Sequence, residues 1–198
     1  MKKYRINEWF YSLQGEGMRA GTPNVFLRFS KCNLRCTKEK EGFDCDTEFV
    51  SGEEWTLDQI VKNLKELSPS CTWVILTGGE PTLQVDDELI DRLHQEGYKL
   101  AIESNGTNPI SEKIDWITIS PKTAEHTIKQ RIAHEVKYVR SFGQGIPETS
   151  VEAKNYLISP AFEGDHLPPK NLEWCIQLVK KNPQWRLSFQ VHKFLGVR

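Results

Sequence analysis

The sequence predicts an α/β fold: a largely parallel sheet curled into an incomplete (β/α)6-like barrel of about six strands. Three observations predict it. Short apolar runs rich in β-branched and aromatic residues recur along the chain, and amphipathic helical patterns lie between several of them. Four of those runs also end in small, polar or charged residues, as strands do where a parallel sheet binds its ligand. At 198 residues the chain stands near the lower limit of a full eight-stranded barrel, which is roughly 200 residues.

In order, VFLRF (25–29), WVILT (73–77), YKLAIE (98–103), DWITIS (115–120), EVKYVR (135–140), NYLIS (155–159) and WRLSFQV (185–191) read as strands. TLDQIVKNLKEL reads as a helix, because Thr56 and Gln59 stand at capping-box spacing and Ile60, Leu64 and Leu67 share one face. VDDELIDRLHQEG reads as a helix closed by Gly97, and NLEWCIQLVKKNP as one stopped by Pro183. The polar stretch KTAEHTIKQRIAHEV is expected to be a mobile loop or a short helix. Alternating strands and helices require crossover connections, hence the parallel sheet. The strand ends are Thr77-Gly78-Gly79-Glu80-Pro81, Glu103-Ser104-Asn105-Gly106, Ser120-Pro121-Lys122 and His192-Lys193. Each alone could be an ordinary turn; four on one rim point to a polar site.

Hydrophobic residues make up 38% and charged residues 27%, a globular balance for one domain over residues 1–198. A net charge of −1 gives no basic field for nucleic acid or an anionic membrane. No apolar run approaches the roughly 20 residues that span a bilayer, and Asn7 and Glu8 interrupt any leader at the start. A cytoplasmic protein is expected, in which clustered cysteines serve metal or redox chemistry rather than disulfides.

Cys32, Cys36 and Cys45 stand in a loop at about residues 30–50, with three and then eight residues between them and no histidine among them. Cys71 beside a strand and Cys175 within a helix read as small buried hydrophobes. Three thiols fit zinc with a remote fourth ligand, three unrelated roles, or an iron–sulfur cluster whose fourth iron stays open for a ligand.

Cys-Asn-Leu-Arg-Cys (32–36), Cys-Asp-Thr (45–47), Thr-Gly-Gly-Glu-Pro (77–81) and Ser-Pro-Lys (120–122) resemble the radical S-adenosylmethionine (SAM) superfamily. With Ser-Leu-Gln-Gly-Glu-Gly (12–17), Glu-Ser-Asn-Gly-Thr (103–107) and Gln-Val-His-Lys (190–193), the ordered set resembles the 7-carboxy-7-deazaguanine synthase family over nearly the whole chain. The resemblance implies a radical SAM-type partial barrel. It also implies a carbon–nitrogen lyase that contracts the ring of 6-carboxy-5,6,7,8-tetrahydropterin, with loss of ammonia, in queuosine-type deazapurine biosynthesis. SAM held on a [4Fe–4S] cluster supplies the 5′-deoxyadenosyl radical in that family. The usual cluster spacing is three residues and then two; here TKEKEGFD lengthens the second gap, which costs little because loop-closure entropy grows logarithmically.

Carried over, the resemblance implies cluster ligation by Cys32, Cys36 and Cys45 and Mg²⁺ binding by Thr47. It implies substrate contacts from Leu13, Gln14, Gly15, Glu16, Arg28, Thr77, His192 and the carboxylate at Arg198. It implies SAM contacts from Phe43, Asp44, Asp46, Gly79, Glu80, Glu103, Ser104, Ser120, Pro121 and Lys122. Glu80 is expected at the methionine ammonium and Glu103 and Ser104 at the ribose. Arg28 suits bidentate capture of a carboxylate, or else is an arginine at a strand edge facing water. A flavodoxin- or ferredoxin-type electron donor and a homodimer are expected partners. The alternatives are a radical SAM activase of a glycyl radical enzyme and a zinc-stabilised binding module.

Overall fold

The computed structural model describes residues 2–37, 39, 45 and 48–197. In chain order the elements are β1 (Lys3–Leu13), β2 (Pro23–Phe29), β3 (Glu53–Thr56), α1 (Leu57–Leu67), β4 (Trp73–Gly78), α2 (Asp87–Gln95), β5 (Lys99–Ser104), β6 (Trp116–Ile119), β7 (Ile132–Arg140), β8 (Glu152–Pro160), α3 (Pro169–Lys181), β9 (Trp185–Leu187) and α4 (Val191–Leu195). The strands form one sheet in the order β3-β1-β2-β4-β5-β6-β7-β8-β9. From β2 to β9 every pairing is parallel, while β1 runs antiparallel to both β2 and β3. The sheet ends at β3 and β9 without closing, so it is the expected incomplete barrel.

Local signals place the helices. Thr56 and Gln59 form a reciprocal capping box at the start of α1, which buries Ile60, Val61 and Leu64. Asp86 caps α2 by accepting from the Leu89 amide at 3.0 Å, and Gly97 follows its end with φ +88°. The sheet's helix-facing side is a continuous apolar layer of Val25, Leu27, Phe29, Val74, Leu76, Leu100, Ile102 and Ile119. Cys71 and Cys175 are buried in this core as expected, and burial pushes the Cys175 thiol up to about 12. On the concave side, Phe26, Ile75 and Ala101 pack with Phe10, Trp73 and Trp116 to fill the base near the strand starts.

Two strands escape the sequence patterns. KYRINEWFYSL, β1, mixes charged and apolar residues on both faces, and the four-residue β3 is too short to show a period. The polar stretch after β6 is a single 3₁₀ turn, Glu125–Thr127, before β7 opens at Ile132. The last predicted strand stops at Leu187: the Val191 amide donates to the Gly15 carbonyl at 2.8 Å, drawing the chain off β8 and into α4. His192 therefore sits on a helix rather than just beyond a strand.

Candidate active site

The carboxyl ends of the parallel strands surround a cavity of about 1190 Å³, more than one small-molecule ligand needs. All three loop thiols line it, as do Leu13, Gln14, Gly15, Glu16, Arg28, Thr77, Gly79, Glu103, Ser104, Ser120, Lys122 and His192. Phe43, Asp44, Asp46, Thr47 and Arg198 lie outside the described residues. Glu80 and Pro121 are buried and do not line the cavity.

The thiol wall is fixed by backbone. Lys31, just before Cys32, has a left-handed φ of +74°. It is held there because its amide donates to the Phe49 carbonyl at 2.7 Å and its carbonyl accepts from the Glu80 amide at 2.9 Å. Gly79 passes so close that a Cβ would lie 2.1 Å from the Lys31 carbonyl oxygen. Cys32 accepts from the Leu34 amide at 3.4 Å, and burial raises its thiol above the ordinary range. Among the described residues no three Cys, His, Asp or Glu side chains converge tightly enough to hold a single metal ion. Three thiols outside any disulfide, opening onto one cavity beside a side-chain-free glycine, fit a larger cluster with an approachable face.

Glu80 differs from expectation in its surroundings. Its carboxylate is fully buried and accepts from the Ser104 hydroxyl at 2.8 Å, the Asn105 amide at 2.8 Å, and the Thr82 amide and hydroxyl at 3.1 and 2.6 Å. It ties the end of β4 to the end of β5. Asn105 then donates to the Asn33 side chain at 2.9 Å, which links this knot to the thiol loop.

The opposite wall is built from side chains. Glu103 accepts from Gln14 Nε2 at 2.8 Å and from the Thr77 hydroxyl at 3.1 Å, so it stands with two residues expected on the substrate side. Arg28 pairs through Nε with Glu8 Oε1 at 2.9 Å, across the β1–β2 register. Glu16 pairs with the Lys137 ammonium and accepts from Gln190 Nε2 at 2.7 Å. Burial lowers the Lys137 ammonium to about 8. Glu135, below it on β7, accepts from the Thr118 hydroxyl and the Met18 amide, both at 2.8 Å, and burial raises its carboxyl. Gly15 presses against the His192 ring; a Cβ there would lie 1.9 Å from Nδ1.

Sequence reasoning missed Glu8, Lys137, Gln190 and the end of β8, where Ser159, Pro160, Ala161 and Phe162 line the cavity. The β8 end carried a usable signal: its Ser-Pro repeats the Ser-Pro that follows β6.

An open parallel barrel with three thiols at its ligand-binding rim defines a class. The family model for the radical SAM superfamily matches residues 27–142, and membership implies SAM and a [4Fe–4S] cluster. Over 98% of both chains, this chain is 44% identical to the 7-carboxy-7-deazaguanine synthase of Bacteroides thetaiotaomicron. It is 38% identical to that of Bradyrhizobium diazoefficiens and 37% to that of Burkholderia multivorans, covering 98% of this chain and 99% of each relative. The chain belongs to the 7-carboxy-7-deazaguanine synthase family of enzymes, which sets aside the activase and zinc-module alternatives. The structure of QueE from Escherichia coli shares the fold, with a TM-score of 0.72 at 22% identity over 96% of this chain and 95% of that one.

Proposed function

We propose that the chain, as one domain over residues 1–198, converts 6-carboxy-5,6,7,8-tetrahydropterin to 7-carboxy-7-deazaguanine with loss of ammonia. Cys32, Cys36 and Cys45 would hold the [4Fe–4S] cluster. SAM would lie along Gly79, Ser104, Ser120 and Lys122, with Pro121 shaping that turn and Phe43, Asp44 and Asp46 approaching from the cluster loop. When bound, these groups supply a radical that removes a hydrogen atom from the substrate. Thr47 would bind Mg²⁺, which keeps waters and takes further oxygens from substrate.

The observation that carries the reading is the single cavity lined by three thiols and by the Gln14–Glu103–Thr77 hydrogen-bonded set. Carboxylate, amide and hydroxyl groups of that kind complement the adjacent donors and acceptors of a pterin edge. Glu103 accordingly moves from the ribose to the pterin side, and Glu80 serves the SAM side by holding Ser104 and Asn105. Arg28, kept in place by Glu8, would meet the substrate carboxylate, with Leu13, Gly15, Glu16 and His192 around the ring and Arg198 as a further contact. A flavodoxin- or ferredoxin-type protein would reduce the cluster, and the enzyme would act as a cytoplasmic homodimer. Among the described residues no helix is long and apolar enough to cross a membrane.

The test is anaerobic turnover of the reconstituted protein with the carboxypterin, SAM, Mg²⁺ and a reductant. Appearance of the deazaguanine product is expected. SAM cleavage without that product would sink the substrate assignment.

A further inference from the structure

Resting on the reaction just proposed, one step still lacks an assigned residue. A nitrogen leaving carbon as an amide anion is a very poor leaving group, so ammonia release needs an acid at that nitrogen. Five of the described residues lining the cavity carry, or can carry, a positive charge: Arg28, Lys122, Lys137, His192 and Lys193. Arg28 is held through its Nε by Glu8, and a guanidinium is a fork for carboxylates rather than a proton donor. Lys122 donates to the Ser120 hydroxyl at 3.0 Å, Lys193 reaches outward to the Gly164 carbonyl at 2.7 Å, near the exposed Asp165, and His192 turns Nδ1 of its ring onto the Gly15 backbone.

Lys137 is placed differently. It projects from β7 into the barrel, is 8% exposed, and pairs with Glu16 in the same turn that presents Gln14. Glu16 is itself held by Gln190 from the far end of the chain, which fixes where the ammonium sits. A buried ion pair seldom repays the desolvation of its two charges, so stability is a weak reason for placing one in this wall. Burial weakens the hold of the amine on its proton while the paired Glu16 carboxylate keeps the proton in place, so the ammonium stands loaded in the cavity wall as a donor.

We infer that Lys137 is the general acid that protonates the nitrogen departing from the contracted ring, with Glu16 and Gln190 positioning its ammonium. The ring carbon–nitrogen bond breaks with its electron pair going to nitrogen, and a proton from Lys137 Nζ caps that nitrogen. The proton shed by the neighbouring carbon as the new ring aromatises returns to the neutral amine. Ammonia leaves, no net oxidation occurs, and the lysine ends as it began.

Lys137→Arg and Lys137→Ala separate this from a structural role. Arginine keeps a cation beside Glu16 but does not release a proton. Lys137→Arg is expected to melt near the wild type and to bind SAM, yet to form deazaguanine ~10²–10⁴-fold more slowly. A ring-contracted compound heavier than product by one ammonia should accumulate, visible by mass spectrometry. Lys137→Ala should regain part of its rate when methylammonium is added. Product formation by Lys137→Arg at the wild-type rate would overturn the inference. So would a parallel loss of substrate consumption and product in both variants, with no heavier compound and no rescue. The wild-type control keeps the two readings apart: if it makes no deazaguanine, the substrate assignment fails and this step with it, whereas turnover by both wild type and Lys137→Arg removes the acid alone.

Discussion

On the side of the cavity that carries Cys32, geometry is fixed by backbone: a left-handed Lys31, a glycine with no room for a methyl group, and amide-to-carbonyl bonds to Phe49 and Glu80. On the side that carries Lys137, it is fixed by charged and amide side chains, Glu16, Gln190, Gln14 and Glu103, reaching across from separate elements. Under the proposed function, the difference follows from what each side must do. A cluster loop has to hold three sulfurs at set positions, and backbone bonds resist displacement with little side-chain entropy at stake. A substrate wall has to present donors, acceptors and protons, and only side chains offer that choice.

The sharpest way to break the comparison is Gly79→Ala. Its Cβ would meet backbone at 2.1 Å, so the segment carrying Cys32 must move. Loss of SAM cleavage by more than about 100-fold is expected, since misplacement by about 1 Å alone can cost that much; iron content after anaerobic reconstitution should fall with it. Glu80→Gln comes next. It sets an amide donor where four donors now converge, for a loss of about 2 kcal/mol, read as a melting temperature lower by about 4–8 °C. An unchanged melting temperature would show that the buried knot does not stabilise the rim.

On the other wall, Gly15→Ala meets the His192 ring, a side chain that can swing aside. The cost of such overpacking is about 1–3 kcal/mol, expected as a KM for the pterin raised about tenfold while cluster content stays normal. A change in cluster content instead would mean the two walls are not independent. A smaller effect is set by pH. The Lys137 ammonium is depressed from its ordinary 10.5 to about 8, so between those values the unfolded chain binds more protons than the folded one. Stability from this residue is therefore lowest below pH 8 and rises as pH climbs towards 10.5. Urea unfolding at pH 8 and pH 10 should show the wild type gaining stability relative to Lys137→Met, with the opposite pull of the buried Cys175 thiol common to both. Least of all, Lys31→Gly relieves the left-handed strain against a more flexible unfolded chain, for a net gain of about 0.5 kcal/mol.

The helices and most parallel strands were legible because their signals are local: the Thr56–Gln59 box, Gly97 after α2, and apolar runs that fill the helix-facing layer. The thiol loop and the strand-end clusters were legible for the same reason. Lys137 and Glu135 were not. In EVKYVR they alternate with apolar residues, and a period of two marks a polar face without telling whether it meets water or a barrel interior. Glu80 was legible only in part: a carboxylate at a strand end suggests a ligand contact, and the fold adds four internal donors that the sequence does not announce. The bonds from Asn33 to Asn105 and from Gln190 to Glu16 join residues far apart in the chain, and nothing in either segment announces its partner.

Gly15 against His192 has a consequence for how the molecule is made. The pieces of the thiol wall, residues 31–36, 78–80 and 104–105, have all left the ribosome by the time residue 105 emerges, and amino-terminal parts of a chain can fold during synthesis. The clasp over the Gln14–Glu16 turn waits for Ser188, Gln190 and His192, some eighty residues later. On the proposed function, a nascent chain would shape its cluster-binding pocket well before it has anything with which to grip a pterin.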